Sequence, residues 1–259
     1  MNEDGIYQPA WQLPAGVHAF VTTRFGGHSQ GAWQTFNLAD HVNDDPVAVI
    51  ANRILLREHI GKITGSAAPI MQWVQQVHGC TVYTAKNSTF TPSPQADAIY
   101  TTCSNLACVI LTADCLPVLF CSTDGQEIAV AHAGWRGLCG GVLEATVASF
   151  KSQPHQIMAW LGPAIGSCHF EVGDEVRAAF IQAAVPDDEA ATHEAFTSAF
   201  KPGKWFVDLY QIARIRLKTA GINQINGDCN CTFCGDSNFY SHRKKSPTGR
   251  FATLIIKTK

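Results

Sequence analysis

Leu106-Ala107-Cys108-Val109-Ile110-Leu111 is an unbroken apolar run, and the chain after it repeats the pattern. Thr112-Ala113-Asp114-Cys115-Leu116-Pro117 leads into Val118-Leu119-Phe120-Cys121, and Ile128-Ala129-Val130-Ala131 leads into His132-Ala133-Gly134-Trp135-Arg136-Gly137. Runs this short, each closed by turn residues, have the length of strands rather than helices. The spacing places Cys115 just past the end of one strand and His132 at the end of another. His78, in Gln75-Gln76-Val77-His78-Gly79, is a third residue of metal-ligating type, and all three can project from strand ends into one pocket. Two imidazoles and one thiolate make three protein ligands, and a zinc ion held by three ligands keeps a fourth position for water or substrate. Gly79 and the Gly134 to Gly137 turn allow the backbone to approach closely there.

Outward from this segment, strands are expected at Val17 to Thr22, Thr81 to Thr84, Ala98 to Thr101, Ile157 to Leu161 and Ala252 to Ile256. Four helices are expected. The first is capped by Asn43 or Asp44, with Pro46 in its first turn, Val47, Ile50 and Ile54 on one face and Gly61 after its end. The second runs from about Leu138 to Phe150. The third spans Gly173 to Val185, with Asp174 and Glu175 in its first turn and Pro186 stopping it. Asp208 caps the fourth, which ends at Gly221. Ser66 to Pro69 and the 86–95 stretch, with Asn87, Ser88, Pro92, Ser93 and Pro94, read as loops. Consecutive strands early and alternation with helices later predict one mixed-sheet α/β (α+β) domain over residues 1–259, not a regular dinucleotide-binding fold.

The 259 residues are 46% hydrophobic and 15% charged, enough for a substantial core. A net charge of -2 argues against nucleic-acid binding, which leaves a basic footprint. Arg243, Lys244 and Lys245 form the one basic cluster, suited to a solvated face or an anion contact. No run approaches the roughly 20 apolar residues that span a bilayer, and the acidic N-terminus is unlike a signal peptide. A cytoplasmic monomer with reduced cysteines is expected.

Arg136 follows the His132 turn into a helix, and Arg24 precedes Gly26-Gly27; each guanidinium is suited to an oxyanion or phosphate. Asp114, beside Cys115, is suited to proton transfer or to orienting the ligand, and equally to holding a turn. Other patterns compete. His169-Phe170-Glu171 and Cys231-Thr232-Phe233-Cys234 mimic the halves of a zinc nucleobase deaminase, but no proline precedes Cys231. Cys229, Cys231 and Cys234 invite a structural zinc, although no second cysteine pair is near in sequence. Two histidines and a cysteine also suit copper. With no His-x-His pair and only Met71 and Met158 inside the chain, a multicopper laccase is poorly supported.

Taken together, Thr22-Thr23-Arg24-Phe25-Gly26-Gly27 with Asn37-Leu38, the Gln-Val-His-Gly and Ala-Asp-Cys motifs, Ala131 to Gly137, Gly162 to Val172, Phe239 to Arg243 and Thr248-Gly249-Arg250 resemble the bacterial YfiH-type family. That family is long labelled laccase domain or polyphenol oxidase and is now described as purine nucleoside phosphorylases. The resemblance covers Thr22 to Ile256. It implies an α/β/β/α layered fold related to the cytotoxic necrotising factor type hydrolases, and zinc held by His78, Cys115 and His132, the set the chemistry already suggests. It implies phosphorolysis of adenosine, inosine and methylthioadenosine, with adenosine deamination. In some members an editing amidase activity on UDP-muramyl peptidoglycan precursors is attributed as well. Arg24, Asn37, Arg136 and Arg243 are then expected to bind substrate or phosphate, and Asp114, Arg136 and Cys115 to take part in catalysis. A thiol hydrolase with Cys115 as nucleophile is the alternative that the toxin kinship allows. Lys244 stands where a second arginine is common, and the Cys229 to Cys234 cluster is richer in cysteine than usual.

Overall fold

The structure, a computed structural model, describes residues 5–66, 68–86, 92–227, 230–234 and 238–258. Its strands are β1 (Ile6–Tyr7), β2 (Val17–Thr22), β3 (Ile70–Gln72), β4 (Val82–Thr84), β5 (Ala98–Thr101), β6 (Leu106–Thr112), β7 (Leu116–Ser122), β8 (Ile128–Ala133), β9 (Ile157–Leu161), β10 (Glu171–Gly173), β11 (Phe196–Ser198), β12 (Lys204–Val207), β13 (Gln224–Asn226) and β14 (Phe251–Lys257). The helices are α1 (Pro46–Thr64), α2 (Trp135–Gly140), α3 (Val142–Ala148), α4 (Asp174–Gln182), α5 (Glu189–Glu194) and α6 (Leu209–Thr219).

Two mixed sheets carry the fold. One has the order β1-β2-β14-β6-β3 and the other β13-β9-β7-β8-β5-β4, while β10, β12 and β11 form a small antiparallel sheet. Successive side chains of a strand point to opposite faces, and both faces here are apolar. Cys108 and Ile110 of β6 meet Leu119 and Cys121 of β7 and Val130 of β8 between the sheets. Val109 and Leu111 point outward, onto Leu56 and Ile60 of α1. Val118 and Phe120 of β7 face the other way, onto Leu143 and Val147 of α3 and Ile212 of α6. The result is the expected α/β/β/α layering. Strands buried on both faces read as continuous apolar runs, which is why β6, β7 and β8 stand out in the sequence.

The helices differ in detail from the expectation. Asp45, not Asn43 or Asp44, caps α1 by accepting from the Val47 amide, and the helix passes through Gly61 to end at Gly65, φ 70°. Its buried side carries Val49, Asn52, Leu56 and Ile60, so the expected stripe of Val47, Ile50 and Ile54 is the solvent face, 73%, 59% and 52% exposed. Both stripes have helical spacing, and periodicity alone does not choose between them. The expected Leu138 to Phe150 helix is two helices, because Gly141 at φ 99° closes α2 and starts α3. The third helix is shorter than expected, Asp174–Gln182, with Gly173 as its N-cap. Asp208 does cap α6, accepting from the Gln211 amide. Among the loop residues, Ala67, Asn87 and Ser88 lie outside the described residues, as does Cys229. The nine described cysteines form no disulfides, and no helix among the described residues is long and apolar enough to cross a membrane.

Candidate metal centre

The first sheet pair delivers the three expected ligands to one point. Cys115 occupies the turn between β6 and β7, half-buried, after Asp114 at φ 90°. His132 sits at the end of a strand as expected, next to last in β8, paired with Pro117 of β7, and is 2% exposed. His78 is not at a strand end: it is exposed on the irregular segment between β3 and β4, at φ 60°. The left-handed backbone at these two non-glycine residues, one a candidate ligand and one beside a candidate ligand, is a strained feature held by the surrounding structure. The ligating atoms of His78, Cys115 and His132 all lie within 4.8 Å of one another. The two imidazoles meet edge to face, centroids 4.7 Å apart.

Asp97, immediately before β5 and fully buried, organises this cluster. Its Oδ1 lies 2.8 Å from His132 Nδ1 and accepts from the His78 amide at 2.9 Å. Its Oδ2 accepts from the Gly79 and Val77 amides at 2.7 and 3.2 Å. One carboxylate thus fixes the His78 loop and the tautomer of His132, leaving the His132 Nε2 for a ligand role, as carboxylates behind metal-bound histidines do. Burial alone would raise the Asp97 carboxyl, but the hydrogen bonds from His132 and the amides hold it below its ordinary value. Burial likewise works against a charged Cys115, yet His132 and His78 bring the thiol down to about 6. Burial also opposes charge on His132, and the Cys115 thiolate with Asp97 pushes that imidazole up to about 9. Without a metal, the pair is a thiolate beside an imidazolium.

The residues fit a divalent metal of borderline softness. Two nitrogens and a sulfur converge from three separate elements, and the backbone has been cleared to let them do so. A Cβ on Gly134 would stand 2.9 Å from His78 Cδ2, 3.2 Å from Cys115 Sγ and 3.4 Å from His132 Cε1. A Cβ on Gly137 would strike the Gly79 carbonyl at 2.8 Å, so the helix start approaches the His78 loop this closely because residue 137 is glycine. The open side, at exposed His78, is where a fourth ligand has access.

The other expected site residues are dispersed around this centre. Asp114 has both oxygens engaged, Oδ1 by the Thr232 hydroxyl at 2.6 Å and Oδ2 by the Arg243 amide at 2.7 Å. Its carbonyl accepts from the Ile165 amide at 2.9 Å. Arg243 donates through its guanidinium to the Glu171 carbonyl at 3.0 Å. Asn37 is fully buried; its amide group donates to Asp44 and the Ala39 carbonyl, and its Oδ1 accepts from the Arg250 amide at 2.9 Å. Arg136 is exposed on α2 with its guanidinium 4.4 Å over Trp135. Arg24, half-buried, donates to the Gln34 carbonyl and lines a cleft of about 530 Å³ with Ser241, Lys244, Lys245 and Thr248.

Two residues were not anticipated as site residues. Asp97 carries no motif, and its one sequence signal is a carboxylate opening the apolar strand Ala98–Thr101. Arg250 closes the Thr-Gly-Arg motif; burial lowers its pKa, while the negative charges of Cys115 and Asp114 draw it back up. Its guanidinium therefore sits within electrostatic reach of the centre, a position its sequence motif alone does not reveal.

Comparison with known proteins shows the family of the chain. The family model described as multi-copper polyphenol oxidoreductase laccase matches residues 18–258. A purine nucleoside phosphorylase of Pseudomonas aeruginosa is 47% identical over 247 residues, 95% of this chain and 96% of that protein. The purine nucleoside phosphorylase YfiH of Escherichia coli is 43% identical over 248 residues, 95% of this chain and 96% of its own. The crystal structure of a Neisseria meningitidis protein superposes with a TM-score of 0.89 at 41% identity, covering 98% of this chain and 100% of that one. With its three-ligand centre on this fold, the chain belongs to the YfiH-type family that is described as multi-copper polyphenol oxidoreductase laccase.

Proposed function

We propose that this chain is a zinc-dependent purine nucleoside phosphorylase acting on adenosine, inosine and methylthioadenosine. The observation that carries the reading is the convergence of His78, Cys115 and His132, backed by Asp97, in a chain whose relatives bear that name. Zinc, when bound, would supply Lewis-acid polarisation and balance developing negative charge. The chain's own residues do the rest. Asp97 holds His132 in one tautomer and pins the His78 loop. Asp114, with both oxygens engaged, orients the Cys115 turn, the positioning half of the roles open to it. Arg24, Lys244 and Lys245 place positive charge along one cleft, suited to inorganic phosphate. A phosphate oxygen attacks the ribose anomeric carbon, the bond to the purine nitrogen breaks, and the departing base takes up the proton that the attacking hydrogen phosphate gives up, directly or through water.

The test is product analysis. Ribose 1-phosphate is expected only when phosphate is supplied, and Arg24→Ala should raise the KM for phosphate more than that for nucleoside, because a guanidinium mainly positions the anion. Free ribose at an unchanged rate without phosphate would refute phosphorolysis. Inosine formed from adenosine, or an amino acid released from a UDP-muramyl precursor, would identify the deaminase or editing activity in the same site.

The paired charges of Cys115 and His132 favour one second reading, a thiol hydrolase in which the Cys115 thiolate attacks a carbonyl. Metal content separates the two readings, since a thiolate committed to zinc is a poor nucleophile. Copper binds nitrogen and sulfur donors more tightly than zinc, so phenol oxidation should arise only after copper loading and stay below nucleoside turnover.

A further inference from the structure

A second cluster of soft ligands forms where the sequence marks only one half of it, Cys231-Thr232-Phe233-Cys234. Cys168 and His169, on the loop between β9 and β10, meet Cys231 and Cys234, more than sixty residues later. Cys168 Sγ lies 3.0 Å from His169 Nδ1 and 3.9 Å from Cys234 Sγ. His169 Nδ1 lies 3.4 Å from Cys234 Sγ and 3.9 Å from Cys231 Sγ. Tetrahedral zinc, with bonds of about 2.3 Å to sulfur and about 2.0 Å to nitrogen, sets its ligand atoms roughly 3.5–3.8 Å apart. A disulfide instead needs sulfurs about 2.05 Å apart.

Two of the ligands, His169 and Cys231, are aimed by contacts beyond the cluster's own ligand atoms. The His169 ring is stacked on Phe233, centroids 4.3 Å apart and planes 22° from parallel, which directs Nδ1 at the sulfurs. The Gly166 amide donates to Cys231 Sγ at 3.1 Å, the kind of backbone donor that supports a metal-bound thiolate. The two loops are joined at their base by Ala164 N to Asn230 O, 3.2 Å, and Thr232 N to Ala164 O, 3.0 Å. Beyond that ladder Cys168 and Cys234 are exposed while Cys231 and His169 are half-buried, so the outer pair has little apolar burial to hold it in place.

We propose that Cys168, His169, Cys231 and Cys234 form a second, structural site for zinc or a similar thiophilic divalent ion. It is closed by four protein ligands, as structural zinc sites are, and it clamps the β9–β10 loop to the 230–234 segment. Both clamped segments reach the first centre: the Thr232 hydroxyl and the Ile165 amide each bond Asp114, next to Cys115. The second ion thus braces the wall of the first site without touching it, and the proposal stands whatever reaction that site performs.

Metal analysis of the full chain, purified without chelator and reconstituted with zinc alone, tests this. Two zinc ions per chain are expected, with one retained in C115A, one retained in C168S/C234S, and none when the substitutions are combined. C115A loaded with cobalt should keep an intense thiolate charge-transfer band, which C168S/C234S in the same background removes. Should the double variant fail to fold, alkylation of the wild-type chain decides. Cys168 and Cys234, though exposed, should resist iodoacetamide until a chelator is added. A single zinc per chain that C115A abolishes, immediate alkylation of both thiols in zinc-loaded protein, or a Cys168–Cys234 disulfide would each overturn the proposal.

Discussion

The two thiol–imidazole clusters contain nearly the same atoms and differ in how charge is balanced. At His78, Cys115 and His132 the thiolate is matched by imidazolium, with the Asp97 carboxylate behind it, and the set runs from exposed His78 to buried His132. At Cys168, His169, Cys231 and Cys234 sulfur faces sulfur. The hydrogen bond to Cys231, burial and the neighbouring Cys168 push the Cys234 thiol up to about 12. The first arrangement is preorganised without a metal and leaves one side open. The second, as proposed, uses all four of its protein ligands and leaves no side open. That contrast separates a centre built for turnover from one built for bracing.

The sharpest way to break the contrast is to remove a ligand. Cys115→Ala should lower metal affinity at the first centre at least about a hundredfold, more than the loss of an outer partner costs, and abolish nucleoside turnover, while circular dichroism reports an intact fold. Unchanged metal content at that centre would move the ligands elsewhere. Asp97→Asn is expected to come next, weakening the metal by roughly 10–100-fold. Both Asp97 oxygens accept from N–H groups, so either orientation of an asparagine turns its own N–H donors toward Val77 and Gly79 or toward His78 and His132. An Asn variant with wild-type affinity would show that the carboxylate only supports the loop.

The charge pairing also fixes a pH dependence. Between about 6 and about 9 the metal-free site holds a Cys115 thiolate and a protonated His132. A metal must therefore displace about one proton from the pair, and its affinity should rise about tenfold per pH unit across that window. Below about 6 the thiol is protonated too and the slope steepens; above about 9 it levels off. Chelator competition across this range checks it, and a flat profile from pH 6 to 8 would show that His132 is already neutral.

The first centre was legible in the sequence because Cys115 and His132 adjoin apolar runs that become strands buried on both faces, while His78, on an irregular segment, was marked by its motif alone. Asp97 escaped notice because a single carboxylate before a short strand has no spacing to mark it, 35 positions from the histidine it serves. The second cluster was half legible: Cys231 and Cys234 invite a structural zinc, but the other half is an adjacent pair, Cys168-His169, without the usual two-residue gap. The short strands β10 to β13 are three or four residues long, too few for alternation to register. The first helix shows the same limit differently, since Val49, Leu56 and Ile60 share the helical period of Val47, Ile50 and Ile54, and only packing against β6 and β14 decides which set is buried.

The smallest expected effect probes the link between the two regions. Thr232 lies between Cys231 and Cys234 in the chain, is fully buried, and donates its hydroxyl to Asp114 Oδ1 at 2.6 Å. Thr232→Val keeps the shape and removes the donor, leaving Asp114 with the Arg243 amide on its other oxygen. An unsatisfied buried acceptor costs about 1–3 kcal/mol, which for a chain of this size lowers Tm by roughly 2–4 °C for each kcal/mol. If the hydroxyl also carries the bracing, zinc at Cys115 should loosen severalfold while zinc at the Cys168 cluster stays in place, because Thr232 is no ligand there. A drop in Tm with unchanged affinity at Cys115 would mean that the bond stabilises the fold without setting the metal site, and the two regions would then be neighbours that act independently.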